Sequence, residues 1–389
     1  VIFLFLFTPL FLFGAPQAVY LTWGSSPESS MTVHWLSSIN EKEESLTLFH
    51  EGKCFSFQAT SVILPTDTTY LVHKATLSHL KSDTVYQFKL KGETLYKFKT
   101  MPKTLENPIT FVVGGDCYHD SLDLLNQMHK LAAKKNPHFA LIGGDIAYAS
   151  SVFSFMPENT KRWIEWIEAY SKTMIREDGT LIPLIGAIGN HDVNGRYSQT
   201  PEMAKTFYTL FSTMPGPQGY AVLDFSDYMS LFVLDSGHTH PIEGVQTKWL
   251  EEALSKRGDR KYKFALYHVP AYPSCRKMST LMSPEIREHF VPLFEKYQLT
   301  AAFEHHDHGY KRTFPLKEGK RVTSKGVVYI GDGGFGVESP RMARPQEEIP
   351  LIEKTASKTH FIFATLRDKG LEVEAIDKEG AVFDQFFIE

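Results

Sequence analysis

The sequence lacks the marks of several protein classes at once. It holds 3 cysteines in 389 residues, Cys54, Cys117 and Cys275, so a disulfide framework is excluded and two at most can pair. A chain of this length can build a core that does without one. Neither sign of charge dominates: 41 Lys and Arg against 45 Asp and Glu leave a formal net charge of −4. That balance removes the electrostatic case for a nucleic-acid partner. Long apolar runs are absent too. Val1 to Phe13, apolar apart from Thr8 and Pro9, has the length of a signal-peptide h-region and is too short to span a bilayer as a helix. Gly14, Ala15 and Ala18 supply small residues behind it. Residues 1–18 therefore read as a leader and the protein as exported (periplasmic or secreted), with no membrane association after cleavage. There is no internal repeat and no low-complexity segment.

Two grammars are present. From Gln17 to Met101 short alternating runs follow one another between turns: Val19 to Trp23, Met31 to Trp35, Ser45 to Phe49, Cys54 to Leu64, Val72 to Leu77, Val85 to Leu90 and Leu95 to Lys99. About seven strands in so short a stretch is the spacing of an immunoglobulin-like sandwich. Leu80 to Tyr86 resembles the turn-plus-tyrosine element of fibronectin type III domains. Residues 19–101 are thus expected to form an all-β immunoglobulin or fibronectin III-like sandwich. Its expected role is structural, flanking the active site or pairing the chain as a homodimer.

Residues 102–108 read as a linker. From 109 to 389 apolar runs alternate with helix-period segments, the pattern of a layered α/β domain with buried strands. The runs are Ile109 to Val113, Phe139 to Ile142, Leu181 to Ile188, Met229 to Leu234, Phe264 to Tyr267, Thr300 to Phe303 and Val327 to Ile330. Helices are expected over Leu122 to Ala133, Thr160 to Ile175, Val245 to Leu254 and Pro284 to Tyr297. The tail alternates again, with Asp368-Lys-Gly370 and Lys378-Glu-Gly380 as hairpin turns.

Five of the apolar runs end in residues that bind metals. They lead into Gly115-Asp116, Gly144-Asp145-Ile-Ala-Tyr148, Gly189-Asn190-His191-Asp192, His268, and Glu304-His305-His306-Asp307-His308. Ligands gather at the carboxyl ends of strands in α/β sheets, so five such tips can converge. The 16 histidines make metal or proton chemistry worth looking for, though the count alone proves nothing. Carboxylate, phenolate, amide oxygen and imidazole suit Fe, Mn or Zn, and no thiolate cluster favours structural zinc. A carboxylate shared by two ions would hold them about 3.5–4 Å apart, the spacing that clamps a phosphoester for in-line attack.

The ordered set GD, GDxxY, GNH-acid, an isolated His after a strand, and HxH resembles the purple acid phosphatases of the calcineurin-like metallophosphoesterase superfamily. The resemblance covers nearly the whole chain after the leader. It implies a four-layer α/β/β/α sandwich as the catalytic domain, preceded by the β-sandwich. It also implies hydrolysis of a small phosphoester substrate, a phosphomonoester, by a metal-bound hydroxide at a dinuclear centre. Carried over, Asp145 would bridge the two metal ions. Asp116, Tyr148 and His308 would complete the first site, and Asn190, His268 and His306 the second. The family's first metal is Fe(III), with Zn, Mn or Fe(II) as the second. His191 would contact phosphate and protonate the leaving group. Two other readings stand beside this one: a phosphodiesterase or nucleotide hydrolase of the same superfamily, and a cell-surface binding protein with an inert metal domain.

Several residues need placing. Asp235-Ser-Gly-His238-Thr-His240 also fits a GHxH pattern, but the block after His268 is the one in family order, so His238 and His240 are expected at the pocket rim or in loop packing. Asp332, in a glycine-rich turn, is expected to be a turn or supporting residue. Tyr272 is open between pocket lining and packing, while Trp163 and Trp166 are expected to pack. Tyr118 and His305 depart from the family pattern and are expected to project near the metals, His305 as a substrate contact.

Overall fold

The structure, a computed structural model, describes residues 16–41, 44–90, 92, 94–280 and 282–389. Residues 1–15 of the expected leader lie outside the described residues. Ala18, its last residue, is already the first residue of a strand and pairs with Leu36.

The N-terminal part holds β1 (Ala18–Thr22), β2 (Met31–Ser38), β3 (Ser45–His50), β4 (Lys53–Gln58), β5 (Thr60–Ile63), β6 (Tyr70–Leu77), β7 (Val85–Lys89) and β8 (Leu95–Lys99). They form two four-stranded sheets, ordered β1-β2-β6-β5 and β4-β3-β7-β8. Alternation drives the pairing: Leu46, Leu48, Tyr86 and Phe88 turn inward from β3 and β7 while their neighbours stay partly exposed. The Tyr86 hydroxyl accepts the Lys81 N–H at 2.7 Å and fixes the turn before β7, as tyrosine corners do. The run Cys54 to Leu64, read as one strand, is two. It breaks at Ala59, whose N–H reaches the Glu44 carbonyl at 2.7 Å; β4 then pairs with β3, and β5 with β6 in the other sheet. Alternation continues through such a switch and does not announce it.

The second part runs β9 (Ile109–Gly114), α1 (Leu122–Lys134), β10 (Phe139–Gly143), α2 (Thr160–Thr173), β11 (Leu184–Ala187), α3 (Lys205–Leu210), β12 (Ala221–Phe225), β13 (Met229–Val233), α4 (Val245–Ser255), β14 (Tyr262–Leu266), α5 (Ser283–His289), α6 (Val291–Lys296) and β15 (Ala301–Glu304). It closes with β16 (Tyr310–Thr313), the short hairpin β17 (Leu316–Lys317) and β18 (Lys320–Arg321), then β19 (Val328–Gly331), β20 (Ile352–Ala356), β21 (His360–Arg367), β22 (Gly370–Asp377) and β23 (Val382–Ile388). One sheet is ordered β11-β10-β9-β21-β22-β23 and the other β12-β13-β14-β15-β19-β16-β20. Both are mixed, with parallel centres and antiparallel additions.

The two sheets face each other. Phe111 of β9 meets Phe264 and Phe303 of the opposite sheet at 6.1 and 5.9 Å between ring centroids. Strand β9 is apolar on both sides: Phe111 and Val113 enter this central core, while Val112 joins the layer beneath α1 and α2. Helices α4 and α6 cover the other sheet over Phe232, Ala265 and Ala302. The result is the expected four-layer α/β/β/α sandwich. The expected helix Pro284 to Tyr297 is divided at Phe290 into α5 and α6. Pro292, in the first turn of α6, has no N–H to give to a preceding carbonyl, which breaks the continuous ladder.

The two parts share a core. Trp23, fully buried after β1, sits edge-on to Phe139 of one sheet (6.1 Å) and Phe225 of the other (5.8 Å). Around it the Tyr20 hydroxyl donates to the Leu210 carbonyl at 2.9 Å, and the Thr22 and Thr213 hydroxyls meet at 2.6 Å. Trp23→Ala should therefore destabilise the whole molecule by about 3–5 kcal/mol, measured by chemical denaturation. An unshifted midpoint would show that the sandwich is only a loose attachment.

Candidate metal centre

The loops that follow β9, β10, β11, β14 and β15 meet at one edge of the two sheets. They are zipped together by backbone bonds: Asp116 N–H to Gly144 O (3.1 Å), Cys117 N–H to Asp145 O (3.0 Å) and His305 N–H to His268 O (2.9 Å). Side chains reach across the same gaps. Asp192, buried, accepts the Ile146 N–H with one oxygen (3.0 Å) and the Gly189 N–H with the other (2.9 Å), tying the loop after β10 to the loop after β11.

The backbone is bent into rare conformations here. Asp116 (φ 58°), Asp145 (50°), Tyr148 (51°), His306 (69°) and His308 (54°) all occupy the left-handed region. Each costs on the order of 1–3 kcal/mol and persists only where its surroundings hold it, as at functional sites. Gly144 (φ 90°) and Gly189 make room for them: a side chain at Gly189 would strike the backbone and carboxylate of Asp145.

All seven expected ligands come together, in two adjoining clusters. In one, Asp116 Oδ1 accepts from the Tyr148 hydroxyl at 2.7 Å and lies 2.9 Å from His308 Nε2, with Tyr148 and His308 3.0 Å apart. In the other, His268 Nε2 stands 3.2 Å from Asn190 Oδ1, 3.2 Å from His306 Nδ1 and 3.3 Å from Asp145 Oδ2. The His306 N–H donates to Asp116 Oδ2 at 2.9 Å, so one residue serves both clusters.

The donor chemistry fits a cation. Nδ1 of His268 donates to the Gly143 carbonyl at 2.9 Å, which turns Nε2 toward the cluster with its lone pair when the ring is neutral. Asp145 Oδ2 is buried without a hydrogen bond, and Asp145, His268 and His306 offer three buried ligand atoms within 4.8 Å of one another. Too many acceptors face one point for protein donors to satisfy. Charge responds accordingly. Burial would lower the His268 pKa, but the Asp145 carboxylate overrides it and lifts the imidazole to about 9. Burial also works to raise the Asp145 pKa, yet His268 and His191 hold it well below the ordinary value. The cluster compensates internally for positive charge that a metal would bring.

His191 hangs beside both clusters. Its N–H donates to Asp145 Oδ1 at 2.6 Å, and its ring stacks on Tyr148 with centroids 4.4 Å apart. Like Tyr148 it is only partly buried, whereas the other six are buried, so its ring borders the open side.

Two expectations need correcting. His305 does not reach the open side: it is buried between the sheets, where a Cβ on Gly115 or Gly143 would overlap its ring, and it is in ion-pair contact with Asp332. The backbone alternates at the loop, so the residue before His306 points inward. Tyr118 turns toward α2 instead of the two clusters. Its hydroxyl donates to Glu165 at 3.0 Å and Arg162 covers its ring at 3.9 Å.

The other residues fall as follows. In the second GHxH block, Asp235 is a buried turn organiser, accepting the N–H groups of His238 (2.7 Å), Thr239 (2.9 Å) and His240 (3.0 Å). His238 stacks on Tyr197 at 5.1 Å in the loop packing. Tyr272 packs edge-on to Tyr329 at 4.7 Å, and Trp163 and Trp166 are fully buried. All three cysteines are free. Several site residues gave no sequence signal. The Tyr197 hydroxyl donates to Asn190 Oδ1 at 3.1 Å and lies 3.4 Å from His306 Nε2. Arg276 donates to the His306 carbonyl at 2.6 Å and to Asp307 at 2.9 Å. Asp192 alone was flagged by its place next to Asn190 and His191.

Residues 72–310 match the calcineurin-like phosphoesterase family, and residues 16–100 match the purple acid phosphatase N-terminal domain. The chain belongs to the calcineurin-like phosphoesterases. Purple acid phosphatase 5 of Arabidopsis thaliana is 23% identical over 357 residues, 84% of this chain and 81% of its own. A solved purple acid phosphatase, PPD1 from yellow lupin seeds (Lupinus luteus), matches with a TM-score of 0.78 at 19% identity, over 95% of this chain and 73% of its own. A solved PhoD matches at 0.68 and 14% identity, over 98% and 90%. At those identities the solved structures speak to the fold. The chain is thus a calcineurin-like phosphoesterase with a purple acid phosphatase N-terminal domain: a metal-dependent phosphatase acting on phosphoesters. No helix among the described residues is long and apolar enough to cross a membrane.

Asp235 supplies a pH test of this loop packing. Burial acts to raise its pKa, but the donors around it, with His240 and His238, hold it below the ordinary carboxylate value. A depressed native pKa means that its stabilisation is present above about pH 3.8 and is lost as pH falls through the native value. Asp235→Asn should cost about 1–3 kcal/mol at pH 7, with the difference from the parent shrinking below pH 4 in denaturant titrations. A pH-independent difference would assign the loss to shape instead of charge.

Proposed function

We propose that the chain hydrolyses phosphomonoesters at a dinuclear centre. Asp116, Asp145, Tyr148 and His308 would hold the first metal, Fe(III). Asp145, Asn190, His268 and His306 would hold the second, Zn, Mn or Fe(II). The observation that carries this reading is the acceptor-rich meeting of His268, Asn190, His306 and Asp145, with the buried oxygen of Asp145 left without a hydrogen bond. The match to the purple acid phosphatase N-terminal domain and the relative named a purple acid phosphatase favour a phosphatase; the choice of monoesters and of Tyr148 as the iron ligand rests on the resemblance of the GDxxY block to that family.

Metal ions bound there acidify water and neutralise charge on the phosphoryl oxygens. The chain's own groups do the rest. His268, oriented by the Gly143 carbonyl, keeps Nε2 on the centre. Tyr197 and Arg276 hold Asn190 and the His306 backbone in register. His191, stacked on Tyr148 and fixed through its backbone to Asp145, gives its ring proton to the departing alkoxide oxygen.

Purified protein should carry two metals per chain and turn over mono-aryl phosphates faster than bis-aryl phosphates. Asp145→Ala should lose both metal and activity; an active, metal-replete variant would end this mechanism. His191→Ala should keep its metal and lose roughly 100- to 10,000-fold in kcat. Tyr148→Phe should abolish a visible charge-transfer band, and a native enzyme that is active without such a band would remove Fe(III) from the first site.

A further inference from the structure

The loop between Tyr148 and α2 is apolar where solvent-facing loops are ordinarily polar. Val152, Phe153, Phe155 and Met156 are all exposed, Phe155 at 81% and Phe153 at 56%. The two phenylalanine rings stack on each other with centroids 5.5 Å apart. Contiguous exposed apolar surface of this kind marks a place where something binds.

The loop is held in place, and what holds it is the segment carrying His191. Ser150 N–H donates to the His191 carbonyl (3.0 Å) and Ser151 N–H to Asn194 Oδ1 (2.9 Å). Gly195 N–H returns a bond to Ser151 O (3.1 Å), and Asn194 Nδ2 donates to Met156 O (2.8 Å). Asn159 N–H closes the base on Ala149 O at 2.7 Å. Loop and residues 191–195 are therefore tied into one unit by these bonds, with the two rings exposed.

From this we infer that the loop is the subsite for the substrate's leaving group, and that the preferred phosphoesters are those of apolar alcohols, aromatic or long-chain. The inference rests on the proposed role of His191. A phosphoryl group at the two clusters places its leaving oxygen at His191, and the remainder of the alcohol then extends over the loop bonded to that residue. Between Ser151 and Met156 the loop offers such an alcohol, besides the backbone, only the hydroxyls of Ser151 and Ser154 as polar partners, so this stretch rewards apolar surface and gives a charged or polyhydroxyl alcohol little.

The test compares 2-naphthyl phosphate with glycerol phosphate in the parent and in the double variant Phe153→Ser/Phe155→Ser, each protein metal-replete. The parent should prefer the naphthyl ester, and the variant should lose roughly tenfold of that preference in kcat/KM, mostly through KM. Because each substrate is referred to itself between the two proteins, leaving-group acidity cancels. An equal inhibition constant for inorganic phosphate in both proteins shows that the metal clusters are intact. An unchanged preference overturns the inference. So does an unchanged preference accompanied by lost binding to phospholipid vesicles, which would make the loop a membrane contact. Should the parent cleave only diesters, the monoester reading fails while this inference is still read from bis-naphthyl against dimethyl phosphate.

Discussion

The buried carboxylate of Asp145 is the constraint on which the rest of the site depends. A carboxylate taken out of water needs a positive partner, and the chain supplies several incomplete ones. His268 faces one oxygen at 3.3 Å and the His191 N–H takes the other at 2.6 Å. Glycine at 189 is required because any side chain there would displace this carboxylate. The unsatisfied remainder of its acceptor capacity is what makes the place hospitable to metal ions.

Strain and support are distributed to match. Five of the proposed ligand positions are in left-handed backbone, a conformation that non-glycine residues avoid. Neighbouring groups hold it. Asp192 joins two loops through the N–H groups of Ile146 and Gly189. Asp307, between two of the ligands, accepts the N–H groups of Ser274 (2.6 Å) and Cys275 (2.8 Å), tying the last ligand loop to the one after His268. The parallel strands beneath supply the rigid frame, since both faces of β9 and β10 are packed.

How much of this was legible in the sequence follows from what kind of signal each feature leaves. Strands buried on both faces leave continuous apolar runs, and the runs ending in Asp116, Asp145, Asn190, His268 and His306 named the site because ligands cluster at strand ends. Features set by tertiary context leave none. Strand β12, Ala221–Phe225, is a half-exposed edge whose pairing with β13 fixes it. The break at Ala59 preserves alternation, and Tyr197 reaches Asn190 from a loop with no motif of its own. Spacing also misjudged direction. Tyr118 and His305 are expected near the metals from their places in the family pattern, yet the turned loops send their side chains to α2 and to the interior.

His305 shows what that reversal means for the fold. Its imidazole occupies the space above Gly115 and Gly143, in contact with Asp332 and beneath the ligand loops. The doublets Gly114-Gly115 and Gly143-Gly144 thus have two distinct duties. Gly144, at φ 90°, turns the chain into Asp145, whereas Gly115 and Gly143 are kept small by the ring lying on them. A bulky residue on one loop and missing side chains on two strands form a single packing solution. The departure at His305 therefore belongs to the interior of the sandwich, which leaves His191 and the loop bonded to it as the proposed substrate surface.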